Sequence, residues 1–169
     1  ISDLNGHAMA KSIMTTMPLV LACFFNAPDI ALPLAEANMK EWKSDLPVYL
    51  AIFYPLFRCL VWASLFKRHN EEKYRTNFRK DAKEIERWAK DGSPNGKVLL
   101  PIVQAEELAH ISGRNSGHNL KQIKESYDRA IDENLEFGFG HFAALSAERA
   151  GRFFSSMNEA SVASKYLQA

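Results

Sequence analysis

An all-α fold, a right-handed tetratricopeptide-like superhelix of antiparallel helix pairs, is the class this sequence predicts, on three observations. Ile123-Lys-Glu-Ser-Tyr127 is echoed by Val162-Ala-Ser-Lys-Tyr166, and Trp88, Tyr127 and Tyr166 stand 39 residues apart, each on an expected amphipathic helix. Intervals of a few tens of residues carried by helix pairs are the sequence mark of solenoids, in which each repeat buries its apolar face on the next. Apolar residues elsewhere recur at steps of three and four, and no segment alternates in the way a half-buried strand does.

Four pairs are expected, over 6–43, 47–90, 98–136 and 140–169. In the first, helices near 6–25 and 30–43 flank the turn Asn26-Ala-Pro-Asp29, with Asp29 as the expected N-cap. In the second, Asn70 is placed to cap a helix over 71–90 whose first turn carries Glu71 and Glu72, where the helix dipole favours negative charge. Tyr74, Phe78, Ala82, Ile85 and Trp88 then mark one apolar face. Asp91-Gly-Ser-Pro-Asn-Gly96 breaks the chain before the third pair, near 98–111 and 120–136. There Ala105, Leu108, Ala109 and Ser112 form a small-residue face answered by Leu120, Ile123, Tyr127, Ala130 and Ile131. The intervening turn, 113–117, is longer than a minimal repeat turn. The fourth pair, near 140–154 and 159–169, has Ala143, Ala147, Ala150 and Phe154 at helical spacing, and Ser156-x-x-Glu159 carries the capping-box pattern.

This arrangement predicts burial of Phe78, Trp88, Leu108, Ala109, Tyr127, Ala130, Ala147 and Ala150. It also predicts that the last helix presents Val162, Ala163, Tyr166 and Leu167 as an apolar face, because a solenoid end without a polar cap leaves such a face open. With Ile1 as its first residue, the chain reads as a piece of a larger protein whose ends are covered by further chain or a partner, and self-association of the isolated piece is expected.

Composition narrows the function classes. The chain has 169 residues, 47% of them hydrophobic and 24% charged, so it has the material for a folded core. Its 21 basic and 20 acidic side chains leave a net charge of +1, without the basic excess of a nucleic-acid-binding surface. Cys23 and Cys59 lie in apolar helical runs and read as buried thiols. Residues 46–66 form a 21-residue stretch broken by Arg58, long enough for a bilayer span, and 17–35 is similarly apolar. Prolines within both stretches and Arg58 in the second favour helices packed on several sides. No basic segment followed by an apolar core begins the chain, so no secretory signal is read there.

Taken in order, Glu86-Arg-Trp-Ala89, Leu99-Leu100, Gln104-Ala-Glu-Glu-Leu-Ala109, Ser126-Tyr-Asp-Arg-Ala-Ile131, Asn134-Leu-Glu-Phe-Gly138 and Ala147-Glu-Arg-Ala-Gly-Arg-Phe-Phe154 form a recognisable series. It resembles the tetratricopeptide-like region that follows the ATPase module in large signalling proteins of the signal-transducing ATPase, serine/threonine kinase and hybrid histidine kinase type. The resemblance spans about 48–169, and residues before it share only general helical character. It implies a cytoplasmic, regulatory repeat array attached to catalytic modules, whose partners are proteins or neighbouring domains. No Gly-x-x-x-x-Gly-Lys-Ser/Thr phosphate loop or kinase signature occurs here, so none of that chemistry transfers to a residue of this chain.

The candidate sites are therefore binding sites. No histidine among His7, His69, His110, His118 and His141 pairs with another at helical spacing, and no Cys-x-x-Cys is present, so neither metal nor cofactor is expected. Glu84/Glu86 and Glu106/Glu107 point in different directions around their helices and read as solvated faces rather than an acid–base pair. Lys67, Arg68, His69, Lys73 and Arg75 cluster, but Glu71 and Glu72 blunt them. If the first helix of each pair lines the concave face, the contacts to a protein partner come from Gln104, Glu107 and His110 in the third pair and His141, Glu148, Arg149 and Arg152 in the fourth. Expected catalytic residues are none. The rival expectation is a helical subunit of a membrane-associated or organellar assembly, engaging lipid or a large complex through 17–35 and 46–66.

Overall fold

Helix termination is the most regular feature of the chain, and it organises the fold. A computed structural model describes residues 14, 16–41, 53–112 and 119–168, and these are helical apart from short turns, with no strand among them. The helices are α1 (16–24 as described), α2 (Pro28–Glu41), α3 (Tyr54–His69), α4 (Glu72–Lys90), α5 (Pro94–Glu106), α6 (Leu120–Glu136), α7 (Gly140–Ser156) and α8 (Ala160–Leu167). A π-helical stretch, Glu107–Ile111, extends α5.

Four of the turns are built alike. After α1, α4, α6 and α7 the chain takes three residues, the middle one left-handed: Asn26 (φ 50°), Gly92 (φ 83°), Gly138 (φ 79°) and Asn158 (φ 62°). In each, the amide after the left-handed residue reaches back to the carbonyl five positions earlier: Ala27 to Ala22, Ser93 to Trp88, Phe139 to Asn134 and Glu159 to Phe154, all at 2.8–2.9 Å. The left-handed residue's own amide closes the inner bond at 3.0–3.2 Å. This is the Schellman motif, which satisfies carbonyls that a helix end leaves unpaired. Glycine and asparagine are the residues that reach this backbone region most cheaply. A Cβ on Gly138 meets nothing within 4 Å, so Gly138→Ala isolates the conformational cost. Its expected loss of stability, measured by urea denaturation, is about 1 kcal/mol, with Gly138→Asn costing less.

Caps correct several sequence expectations. Asn70 closes α3 in a left-handed conformation (φ 54°), its amide bonded to Phe66 O, instead of opening α4. Asp29 lies inside the first turn of α2, which begins at Pro28, so it is not the N-cap. Ser156 is the last residue of α7, and its hydroxyl donates to Phe153 O at 2.7 Å, while Glu159 makes no side-chain cap. The reciprocal capping box instead opens α6: Gln122 N donates to Asn119 Oδ1 at 2.8 Å and Asn119 N to Gln122 Oε1 at 3.2 Å. The breaker at 91–96 already contains the start of α5, with Ser93 as N-cap and Pro94 in the first turn, where a missing N–H costs nothing. The long turn expected at 113–117 lies outside the described residues.

The chain divides into two compact units between Ile85 and Glu86, within α4. In the first, α3 is buried from Tyr54 through Ala63, and again at Leu65 and Phe66. Arg58, the residue that interrupts the apolar run, is only 5% exposed. Its Nε and Nη2 bind the two carboxylate oxygens of Asp81 at 3.0 and 2.7 Å, and Trp62 Nε1 donates to the same carboxylate at 2.9 Å. A buried guanidinium matched by both oxygens of a buried carboxylate is a packed interior arrangement. Cys23 and Cys59 are buried free thiols, their Sγ atoms donating to Phe57 O and Phe78 O. The 17–35 stretch is two helices separated by the turn at Asn26, and among the described residues no helix is long and apolar enough to cross a membrane.

In the second unit, α5, α6, α7 and α8 each pack on the next along the chain. Ala105, Ile123, Tyr127, Ala147, Ala150, Phe153, Phe154, Ala163 and Tyr166 form one core cluster. Tyr127 and Tyr166, 39 residues apart, are both buried, while Trp88, the third member of that series, is half-buried. Leu108 and Ala109, expected inside, are also half-buried, and Ile111 is fully buried instead. The π-helical stretch explains this, because its wider turn changes which side chains face inward. The apolar face expected to stay open on α8 is largely used. Ala163 and Tyr166 are buried, Tyr166 stacks on Phe154, Val162 packs on the cluster, and Leu167 remains exposed.

Candidate functional site

Two helical stripes face each other across a groove in the second unit. Gln104, Glu107 and Leu108, spaced i, i+3, i+4 along α5 and its π-helical extension, form one wall. Gln122, Glu125, Ser126 and Arg129, spaced i, i+3, i+4, i+7 on α6, form the other. The groove is open to solvent and has a volume of about 500 Å³, within the size range of sites that take a small molecule or a short peptide segment.

Its wall groups divide into those already engaged and those available. Arg129 reaches across to the opposite wall, its Nη2 on Gln104 Oε1, and its Nε is 3.6 Å from Glu133. Gln122 spends its carbonyl oxygen on the α6 cap. Glu125 is 3.8 Å from Lys121, a pair in which Lys121 is 82% exposed, so solvent screens it. Glu107 makes no ion pair among the described residues. Ser126 is only 9% exposed, yet its hydroxyl has no hydrogen-bond partner among them. The residue lines the groove, so that hydroxyl is open to a ligand there.

Beside the groove wall lies a second, closed constellation. Glu106 is fully buried, and Arg149 reaches it from α7 with Nε–Oε1 at 2.7 Å and Nη2–Oε2 at 2.5 Å. Tyr127 donates its hydroxyl to Glu106 Oε1 at 2.8 Å, and His110 Nε2 stands 3.9 Å from Oε2. Burial pushes the Glu106 carboxyl up, but the charge and hydrogen bonds of Arg149, with His110 and Tyr127, hold it below its ordinary 4.5. Burial and the adjacent carboxylate raise the Tyr127 phenol well above 10. This buried cluster ties α5, α6 and α7 together through Glu106, Tyr127 and Arg149.

The residues expected to contact a partner are therefore not gathered in one place. Gln104 and Glu107 line the groove. His110 is turned inward, its side chain 8% exposed and edge-on to Phe153 at 5.5 Å. Arg149 is committed to Glu106. Glu148 and Arg152 pair with each other along α7, and burial raises the Glu148 carboxyl against the opposing charges of Arg152 and Arg149. His141 is exposed and packs on Phe142 at 4.2 Å. None of His110, His141, Glu148, Arg149 and Arg152 lines the groove. What the sequence reading missed is the α6 wall. Its signal is four polar residues on one stripe of a second helix, whereas the expected contacts come from the first helix of each pair.

No group of three or more His, Cys, Asp or Glu able to hold a metal occurs among the described residues; His7 and His118 lie outside them. Comparison of the chain with protein-family models, curated proteins and solved structures finds no match.

Proposed function

We propose that this chain is a non-catalytic interaction module, a tetratricopeptide-like helical array that holds a peptide segment of a protein partner in the groove between α5 and α6. The observation that carries this reading is the groove itself, lined by two largely polar helical stripes that include the Ser126 hydroxyl. The repeated Schellman turns and the chain-order packing of α5 to α8 support a repeat architecture, in which one structural unit is used again and again. The resemblance noted in the sequence supports a place within a larger cytoplasmic signalling protein whose ATPase or kinase activity resides in other modules.

Selection from a displayed random-peptide library on the folded protein tests the reading. Peptides are expected to be enriched, and to lose binding to Ser126→Phe and Gln104→Trp, each of which fills the groove, with circular dichroism verifying the fold of both variants. Failure to enrich any peptide, or enrichment of peptides indifferent to both fillings, would overturn it.

A second reading, a helical subunit of a membrane-associated or organellar assembly, is supported by a different observation. Met14, Met17, Leu21, Phe24, Phe25 and Ile30 are apolar and 41–77% exposed, several at helical spacing. Co-sedimentation with phosphatidylcholine vesicles, weakened by Leu21→Glu, would favour it; no co-sedimentation with neutral or anionic vesicles would count against it.

A further inference from the structure

We infer that the groove between α5 and α6 selects a basic side chain, arginine or lysine, presented by the bound peptide. This rests on the interaction-module reading and names the chemistry the groove prefers. Each wall supplies a carboxylate, Glu107 from the π-helical extension of α5 and Glu125 from α6. The cation within the groove, Arg129, is drawn toward Gln104 and Glu133, so its charge is offset by a carboxylate outside the lining. That leaves a net negative site.

Leu108, half-buried in the same lining, offers apolar surface of the kind the methylene stem of an arginine or lysine covers while its charged head stays hydrated. Ser126, mostly buried but lining the groove and hydrogen-bonded to no other described residue, supplies a hydroxyl that can donate to or accept from the peptide backbone. The carboxamide nitrogen of Gln122, whose oxygen is used in the cap, adds a donor at the rim. An acidic peptide would bring its charge against Glu107 and Glu125. A wholly apolar one would leave both carboxylates and the Ser126 hydroxyl covered without partners. Lys121, 3.8 Å from Glu125, is the competing internal cation, and its high exposure makes it the weaker partner.

The test begins with the sequences that the library selection enriches. A shared arginine or lysine is expected among them. In the strongest binder, synthesised with a fluorescent label, replacing that arginine by its neutral isostere citrulline, or that lysine by norleucine, is expected to weaken binding about tenfold. Glu107→Gln and Glu125→Gln are each expected to weaken it several-fold with unchanged thermal melts, and Lys121→Gln to strengthen it. Affinity is expected to fall as salt is raised. Enriched peptides that are neutral or acidic, or affinities indifferent to citrulline and to both glutamine variants, would overturn the inference while leaving the interaction module standing. A selection that enriches nothing would remove both.

Discussion

Arg149→Ala is expected to lower stability by about 3–5 kcal/mol, because removing one half of a buried ion pair strands the other charge away from water. Glu106 is fully buried and Arg149 only 8% exposed, and among the described residues no second cation is within hydrogen-bonding distance of the Glu106 oxygens once the guanidinium is gone. His110, 3.9 Å away, can offset only part of the loss. The triple variant Glu106→Leu, Tyr127→Phe, Arg149→Leu is expected to recover most of the deficit, since it removes both charges and the phenol that would otherwise lose its acceptor. Urea denaturation of the single and triple variants reads this directly, and a single variant as stable as the parent would show that the cluster does not tie the helices.

The same cluster sets the pH limits. The Glu106 carboxyl is held below its ordinary 4.5 in the folded state, so its contribution is fully present above pH 4.5 and is lost as pH falls through the lower folded value. The Tyr127 phenol is raised above 10, so its contribution is present below pH 10 and is lost as pH climbs beyond it. Tyr166, hydrogen-bonded to Asp128 at 2.6 Å, is raised in the same direction and steepens the alkaline limb. In Tyr127→Phe that limb is expected to become shallower.

Gly96→Ala is expected to be the most damaging addition of a single methyl group. A Cβ at Gly96 would stand 2.4 Å from Ala89 N, 2.6 Å from Trp88 C and 2.9 Å from Ala89 Cα. These are backbone atoms of α4, which cannot rotate aside as a side chain can, so α5 must shift bodily. Overpacking of this kind costs roughly 3 kcal/mol or more, well beyond the cost expected for Gly138→Ala, where a Cβ meets open space. A thermal melt in which the two alanine variants lose equal stability would show that α5 does not need close approach to α4.

Much of the helical plan was legible because amphipathic faces repeat at the helical period. The face of α4, with Tyr74, Phe78, Ala82 and Ile85 buried, is the clearest case. The period fails on α3, which is buried nearly all round, so the same residues also read as a membrane span. What distinguishes the two is Asp81, 23 residues from Arg58 in sequence and hydrogen-bonded to it in space. Asn70 is ambiguous in sequence for a related reason: asparagine suits both an N-cap and a left-handed C-terminal position, and only the backbone tells them apart.

The candidate site was half legible. Gln104 and Glu107 are recognisable as polar residues on a first helix, but a uniform α period along that helix does not hold. The π-helical stretch at Glu107–Ile111 breaks the period, with Ile111 packed inward and the side chain of His110 largely buried. Gln122, Glu125, Ser126 and Arg129 were visible as a stripe, but nothing local in sequence says which stripe faces a neighbouring helix across open space.

The most direct test of the interaction-module account is a nuclear magnetic resonance titration of the ¹⁵N-labelled protein with the strongest peptide from the library selection. The account predicts that shifted amides concentrate along 104–111 and 122–129, the two walls of the groove, and that Ser126→Phe abolishes the shifts. Shifts centred instead on the exposed apolar residues of 14–30, with the groove amides unmoved, would contradict it.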